Sequence, residues 1–360
     1  MERRSDAKEA LEELGESIIK QIEKKENPYI TVPVRSISNV IYDEKTKLLR
    51  LGSKVAKRYF FNVAHAKKFT QTMIVASKAK ELLDEDIHAS LREVFYNVKR
   101  TFPNSHENTF DEQTESDAVL EDLEVILGVL REQLHVNADA SGRVVGNVTI
   151  VDSGDTIKWN QLGSGGWHIP SNVEDIEFKN VYAEFVLVVE KDAAFERLNE
   201  DKFWKKHNCI LISTHGQAAR GTRRLIRRLN KEFGLPVFVF SDCDAYGWYI
   251  YSVIKAGSMN LAHTSDMLAT PEARFIGLTM TDIENYNLKK HTIKATEQDM
   301  KRAKELMNYK WFQHPLWQRE VKLMLKKGYK AELQALASHG FKFISEVYLP
   351  EKIEKKDFLP

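Results

Sequence analysis

The chain has 360 residues, 42% of them hydrophobic, which suits about two domains of the usual ~100–200 residues, each with its own packed core. Its 53 Lys and Arg against 52 Asp and Glu leave a net charge of only +1, so a polyanion-binding surface would have to come from where the charges sit, not from their sum. Cys209 and Cys243 lack Cys-x-x-Cys spacing, which excludes a zinc cluster or disulfide framework and suits buried thiols, and no apolar run approaches the ~20 residues of a membrane span. Residues 1–6 are polar with no apolar core behind them, so they do not read as a secretory signal. Together these features fit an intracellular, cytoplasmic enzyme.

Leu11, Leu14, Ile18 and Ile22 form a helical stripe among charged residues that ends at Asn27-Pro28. Such a stripe can pack on its own domain or dock a partner. Residues 64–83 predict a helix, 84–87 a short polar turn and 88–100 a second helix, with Ser90 as its N-cap. Leu91, Val94, Phe95 and Val98 make its buried face. Arg92, Tyr96, Lys99 and Arg100 recur opposite, so a phenol projects outward with guanidinium groups one turn away on each side. Helix, turn and basic helix is a DNA-docking pattern. The ordinary alternative for Tyr96 is a surface tyrosine with no special role. The acidic stretch 107–124 is expected to face away from DNA. Val148-Thr149-Ile150-Val151 predicts a strand that turns at Asp152-Ser153-Gly154-Asp155. Gly163-Ser164-Gly165-Gly166 lacks the lysine and following helix of a P-loop, so it reads as a flexible loop, and the chain should not hydrolyse ATP by itself.

From residue 185 the pattern alternates. Phe185-Val186-Leu187-Val188-Val189 closes on Glu190, and Val237-Phe238-Val239-Phe240 closes on Ser241-Asp242-Cys243-Asp244. Short unbroken β-branched and aromatic runs predict strands buried on both faces. Between them, helical character over 193–206, the strand Cys209-Ile210-Leu211-Ile212 and a helix over 222–233 stopped by Gly234 complete the alternation. A helix over 246–256 and the strand Phe275-Ile276-Gly277-Leu278 extend it, and the sum is a parallel α/β sheet with right-handed crossovers. Glu190 and Asp242 then fall at carboxyl ends of strands, where catalytic groups of such sheets collect. Asp242 and Asp244 are two apart, so an extended backbone points both side chains the same way. Three convergent carboxylates without Cys or His suit a hard cation, Mg²⁺ above all, and phosphate chemistry; helix N-caps are the alternative. Arg220, Arg223, Arg224, Arg227, Arg228 and Lys231 crowd the 222–233 helix and its approach, as a solvated face or as a phosphate-backbone contact.

A Glu after one strand and an Asp-x-Asp after a later one resemble the toprim domain of topoisomerases, primases and some nucleases. The string Leu91-Arg92-Glu93-Val94-Phe95-Tyr96 resembles the catalytic-tyrosine motif of the DNA topoisomerase VI A-subunit family, which includes the meiotic double-strand-break transesterase. In that family the tyrosine precedes the toprim acids, as Tyr96 precedes Glu190. His215-Gly216-Gln217 leading to Thr222-Arg223, the 148–155 strand and turn, and Lys330-Ala331-Glu332-Leu333-Gln334-Ala335-Leu336 are similar to the family too. The likeness runs nearly the whole length. Three positions depart from it: Ala245 and Ala218 stand where proline is usual, and Phe95-Tyr96 where many members have Tyr-Tyr.

The resemblance implies a fold of a winged-helix (CAP-like) domain in residues 1–145, carrying the N-terminal helix and the tyrosine, followed by a toprim-type parallel α/β domain with C-terminal helices in 146–360. It implies the DNA-cleaving part of a type IIB topoisomerase, in which Tyr96 attacks a DNA phosphate and becomes linked to the 5′ end. Arg92 would reduce the phosphate's charge, and Glu190, Asp242 and Asp244 would hold Mg²⁺. Glu190 is also a candidate base where it is not wholly committed to metal. Lys99, Arg100, Arg220, Arg223, Arg224 and Arg227 would contact double-stranded DNA. The implied partners are a second copy of this chain and a separate ATPase B-subunit, in an A₂B₂ assembly associated with the nucleoid. A nuclease or break-forming transesterase without strand passage, and a non-catalytic winged-helix module, are the rival readings.

Overall fold

The computed structural model describes residues 7–360, so the reading of residues 1–6 lies outside the described residues. The chain divides into two compact units. One holds the described residues up to Ile41 with Arg50–Asp139 and Met259–His263; the other holds Tyr42–Leu49, Ala140–Ser258 and Thr264–Pro360. Among the described residues, no helix is long and apolar enough to cross a membrane.

In the first unit, the helix Ala7–Glu23 uses its apolar stripe internally. Leu11 shares a core with Val75, Ala76 and Leu123, and Ile18 shares another with Ile30, Val32 and Phe69. Ile22 is left exposed beside Ile19. The strands Tyr29–Pro33 and Val55–Tyr59 pair antiparallel. Helix Val63–Glu85 starts at Asn62, whose side chain accepts from the Ala64 N–H at 3.0 Å, and stops at Asp86 in the left-handed region. The tyrosine helix is shorter than its sequence pattern, Leu91–Val98, because Ala89-Ser90 are taken by a short parallel ladder with Val136-Asn137. Ser90 and Glu93 close a reciprocal capping box: the Glu93 N–H donates to Ser90 Oγ at 3.2 Å and the Ser90 N–H to Glu93 Oε2 at 2.7 Å. The acidic stretch is only partly outward. In helix Gln113–Leu127, Asp122 and Glu124 are buried, and Asp122 pairs with Arg35 at 2.8 Å and Arg58 at 2.6 Å. Asp122 thus neutralises the unit's own arginines.

In the second unit, a six-stranded sheet runs in the order Trp167–His168, Arg143–Val145, Cys209–Ser213, Phe185–Val189, Val237–Phe240, Arg274–Gly277. The last four strands are parallel, as their apolar runs require. The first two are antiparallel additions, so the sheet is mixed rather than wholly parallel. Arg143–Val145 is only three residues long and carries no periodicity of its own. Phe185–Val189 is central and its successors in sequence lie on opposite sides of it, which makes the carboxyl end of this strand a topological switch point. Val186 to Val189 and Ile210 to Ile212 are wholly buried. The helix expected over 193–206 is two, Asp192–Glu200 and Phe203–Lys206, broken where Lys202 adopts a left-handed conformation. The predicted loose loop at 163–166 is anchored: Gly166 has φ +68, and a Cβ there would stand 2.9 Å from the Val144 carbonyl oxygen. Val148–Asp152 lies in a separate three-stranded antiparallel sheet with Asp155–Lys158 and Glu177–Val181. Both cysteines are buried and free.

The capping box generates a stability prediction. Ser90→Ala should cost about 1 kcal/mol in urea unfolding of the first unit's signal, the usual value of such a cap, and Ser90→Asp should restore most of it.

Candidate functional site

The switch point assembles the acidic group. The Glu190 N–H donates to the Phe240 carbonyl at 3.0 Å, so Glu190 continues the ladder at the point where the neighbouring strand turns into Ser241-Asp242. Helix Ala245–Ala256 begins at once, with Asp244 as N-cap; Asp244 Oδ1 accepts from the Gly247 N–H at 2.7 Å. Glycine is required here. A Cβ on Gly247 would lie 2.7 Å from the Asp242 carbonyl oxygen. Ala245 occupies the first helical turn where proline would also fit, and the helix forms without it. Asp244 therefore caps a helix, as one of its two readings expects, and it also belongs to the acidic group.

Crowding sets the electrostatics. Burial, followed by the charges of Asp242 and Asp244, pushes the Glu190 carboxyl up to about 7. Glu190 Oε2 is buried with no hydrogen-bond partner. Burial also raises Asp242, against the opposing pull of Lys191 and the Leu333 N–H. Asp242 is 8% exposed; its Oδ1 accepts from Leu333 N–H at 2.7 Å and its Oδ2 lies 2.9 Å from Lys191 Nζ. Lys191 also reaches Glu332 at 3.0 Å. Burial alone would lower Lys191, but these two carboxylates hold it above its ordinary value. Lys330 Nζ stands 3.5 Å from Asp244 Oδ2 and 3.0 Å from Asp299.

The second lysine arrives from far along the chain. Cys243 and Ala331 exchange backbone hydrogen bonds of 2.8 and 3.2 Å, which zip the segment around Lys330 onto the Asp-x-Asp turn. Sequence reasoning did not select Lys191, Lys330, Glu332 or Asp299. The available signals were a lysine directly after Glu190 and the similarity of 330–336 to a known family, without a physical role for either. On the neighbouring strand end, Asp192 accepts from Ser213 Oγ at 3.0 Å and pairs with Arg143 at 2.5 Å.

The donor set suits a hard divalent cation: carboxylates, an unsatisfied buried oxygen and no sulfur ligand. Both aspartates are turned to protein partners, however, and among the described residues no three His, Cys, Asp or Glu side chains already stand as a metal-binding group.

In the other unit, Tyr96 is 63% exposed while Val94, Phe95 and Val98 are buried. The Arg92 guanidinium lies 6.0 Å from the Tyr96 ring centroid, within cation–π range. Lys99 and Arg100 fall beyond the helix end, unlike the continuous basic face expected. Lys99 Nζ packs 5.3 Å from the Phe95 ring and donates to the Asp111 carbonyl at 3.1 Å. Arg100 stays exposed, its backbone held by Thr109 Oγ1.

The basic helix Arg220–Phe233 is packed more closely than its run of charges suggests. Arg220 and Arg223 are buried, at 8% and 4% exposure. Arg224 pairs with Glu174 and donates to the Met267 carbonyl, and Arg227 lies 3.3 Å from Glu272. Arg228 stacks 4.8 Å from Phe178 and donates to the Val173 and Ile176 carbonyls. Arg224, Arg227 and Arg228 are thus engaged within their own unit, with long stems covering apolar surface, so the run is not a uniformly solvated face.

Comparisons with known proteins agree in direction. Residues 185–353 match the toprim domain of the topoisomerase 6 A-subunit/Spo11 family; residues 67–136 match the family described as Type IIB DNA topoisomerase; residues 140–181 match the all-beta domain in the DNA topoisomerase VI alpha subunit. The chain is 49% identical to the A-subunit of type 2 DNA topoisomerase 6 from Pyrococcus abyssi, over 97% of this chain and 94% of the relative. It is 46% identical to that of Hyperthermus butylicus, over 100% and 97%, and 41% identical to that of Methanocaldococcus jannaschii, over 98% and 96%.

A carboxyl that holds its proton more tightly folded than unfolded loses stability for the fold as pH rises from its ordinary 4.5 to about 7, and the loss persists above that. Ionised Glu190 is thus worth up to roughly 3 kcal/mol of destabilisation in metal-free protein. Glu190→Gln should melt several degrees above the parent at pH 8 in chelator, and the gap should close at pH 5. Added Mg²⁺ should raise the parent's melting temperature and leave the variant's nearly unchanged.

Proposed function

We propose that this chain, which belongs to the topoisomerase VI A-subunit family of type IIB DNA topoisomerases, is the isomerase component that cuts and rejoins double-stranded DNA through Tyr96. The observation that carries the reading is an exposed phenol beside Arg92 on a capped helix, in a chain whose other unit gathers three carboxylates at a switch point. The division after Asp139 supports a boundary close to residue 145. In this reading residues 1–145 are a winged-helix, CAP-like DNA-docking domain and 146–360 the toprim-containing part. The relatives are named as one lettered component of a larger enzyme, which supports a B-subunit partner. The missing P-loop supports assigning ATP hydrolysis to that partner. In this reading the two chains form an A₂B₂ assembly at the nucleoid.

The residues suggest a division of labour. A phenol attacks phosphorus as its oxygen sheds the proton, so Tyr96 must lose its proton as it attacks. The Tyr96 oxygen bonds to phosphorus, the bond from phosphorus to the 3′ oxygen breaks, and that oxygen takes up a proton as a hydroxyl. The product is a 5′-phosphotyrosyl link, and reversal reseals the strand without nucleotide because one phosphodiester has replaced another. Arg92 would place positive charge against phenolate and phosphate. Glu190, Asp242 and Asp244 would hold Mg²⁺, which when bound supplies charge neutralisation at the phosphate. Glu190 is also a candidate to take the phenolic proton. Exposed Arg100 remains a backbone contact; Lys99 could contribute by releasing the Asp111 carbonyl.

Tyr96→Phe should abolish the Mg²⁺-dependent protein–DNA adduct on denaturing gels while DNA affinity stays within about twofold, since only a hydroxyl is lost and the basic groups remain. Residual adduct would sink the nucleophile assignment.

The tyrosine and the carboxylates belong to different units, so we further propose that one protomer's Tyr96 works with its partner's carboxylates. Mixing Tyr96→Phe chains with Glu190→Gln chains should then restore single-strand nicking, because each mixed dimer keeps one intact site. Silence from a mixture verified to form heterodimers would contradict this sharing.

A further inference from the structure

Each aspartate of the acidic group shares a lysine with an acid outside it. Lys191 Nζ bridges Asp242 Oδ2 at 2.9 Å and Glu332 Oε2 at 3.0 Å, and donates to Gln334 Oε1 at 3.2 Å. Lys330 Nζ bridges Asp244 Oδ2 at 3.5 Å and Asp299 at 3.0 Å. Asp299 is itself fixed, accepting from the Thr296 N–H at 2.8 Å in the capping box whose N-cap, Thr296, starts the helix Glu297–Asn308. Neither lysine would be stranded if it released its aspartate, because Glu332 and Gln334 would retain the one and Asp299 the other. Glu190 feels Lys191 as a weaker influence than burial and the two aspartates, and its Oε2 is buried without a hydrogen-bond partner.

We infer that Lys191 and Lys330 are resident counter-ions that compete with the divalent cation for Asp242 and Asp244, and so set the affinity of the site for metal. An ammonium held against a carboxylate both occupies its lone pairs and repels an incoming cation, and the two effects weaken metal binding in the same direction. Without metal, the lysines keep two aspartates compatible with a crowded, partly dry site. With metal, each ammonium swings to its outer acid and stays at the rim as a positive charge. The exchange lets the site remain folded without metal and gives it a moderated affinity when metal arrives. This inference rests on the proposed reading of the carboxylates as metal ligands and deepens it: both lysines are positioning residues, acting through the aspartates.

The test is calorimetric titration of the full chain, free of DNA, with Mg²⁺ alone and then with Mn²⁺ alone. Lys191→Gln should bind either metal about tenfold more tightly than the parent, the scale expected for removing one close cation from a part-buried site. Lys191→Arg, which keeps the charge, should stay within about twofold of the parent. Lys330→Gln should also tighten binding, by less, because its contact with Asp244 is longer. Circular dichroism melts confirm folding, and Lys191→Gln decides the matter if Lys330→Gln unfolds through loss of the Asp299 pair. Unchanged or weaker binding by Lys191→Gln, with binding still lost in Asp242→Asn, overturns the counter-ion role and leaves the metal reading intact. Binding absent from the parent, or indifferent to Asp242→Asn, overturns both.

Discussion

Repulsion among Glu190, Asp242 and Asp244 is the constraint around which the second unit is organised. The switch point of the sheet brings the ends of two adjacent parallel strands together, and both ends carry acids. Burial makes their charges more costly, as the raised carboxyl of Glu190 reports. A fold that keeps such a group must either protonate it or answer it with cations. Here it does both in part: Glu190 is left to hold its proton near neutrality, while Lys191 and Lys330 face the two aspartates.

Much of the surrounding structure serves that arrangement. Gly247 lets the following helix sit directly on the Asp242 backbone, so its first turn can satisfy Asp244. The backbone bridge between Cys243 and Ala331 brings in Lys330 and, 91 positions from Asp242, the Leu333 N–H. The C-terminal segment therefore completes the acidic group as well as covering the sheet. The tyrosine helix obeys a different logic. It is short, held by a capping box and three buried side chains, and presents its phenol to solvent with one guanidinium nearby. It has no local demand for a buried charge, which suits a group that must reach a large polyanion.

The parts legible in the sequence were those governed by local periodicity. Four parallel strands followed from unbroken apolar runs, and the N-cap at Ser90 and the stop at Gly234 followed from residue type. Glu190, Asp242 and Asp244 could be singled out because strand ends concentrate function. Tertiary pairing was not legible. The Arg143–Val145 strand has three residues and no pattern, and its antiparallel place depends on a partner far away in the chain. The arginines of the Arg220–Phe233 helix looked like a nucleic-acid face because charge alone does not reveal that Glu174, Phe178 and nearby carbonyls are waiting for them. The inward part of the acidic stretch was hidden for the same reason, Asp122 being buried against Arg35 and Arg58. Lys191 and Lys330 could not be assigned a role from sequence, although Lys330 opens a family-like string, since their contacts arise only from where the acids end up.

The acidic group is proposed to be a divalent-metal site whose aspartates are held by lysines until the metal binds. Anomalous diffraction from crystals soaked in Mn²⁺ tests it most directly. The account predicts a manganese peak bounded by Glu190 and Asp242, with Asp244 in contact directly or through water, and the Lys191 ammonium moved from Asp242 onto Glu332. A manganese peak elsewhere, or none at these carboxylates with Lys191 still seated on Asp242, would contradict it.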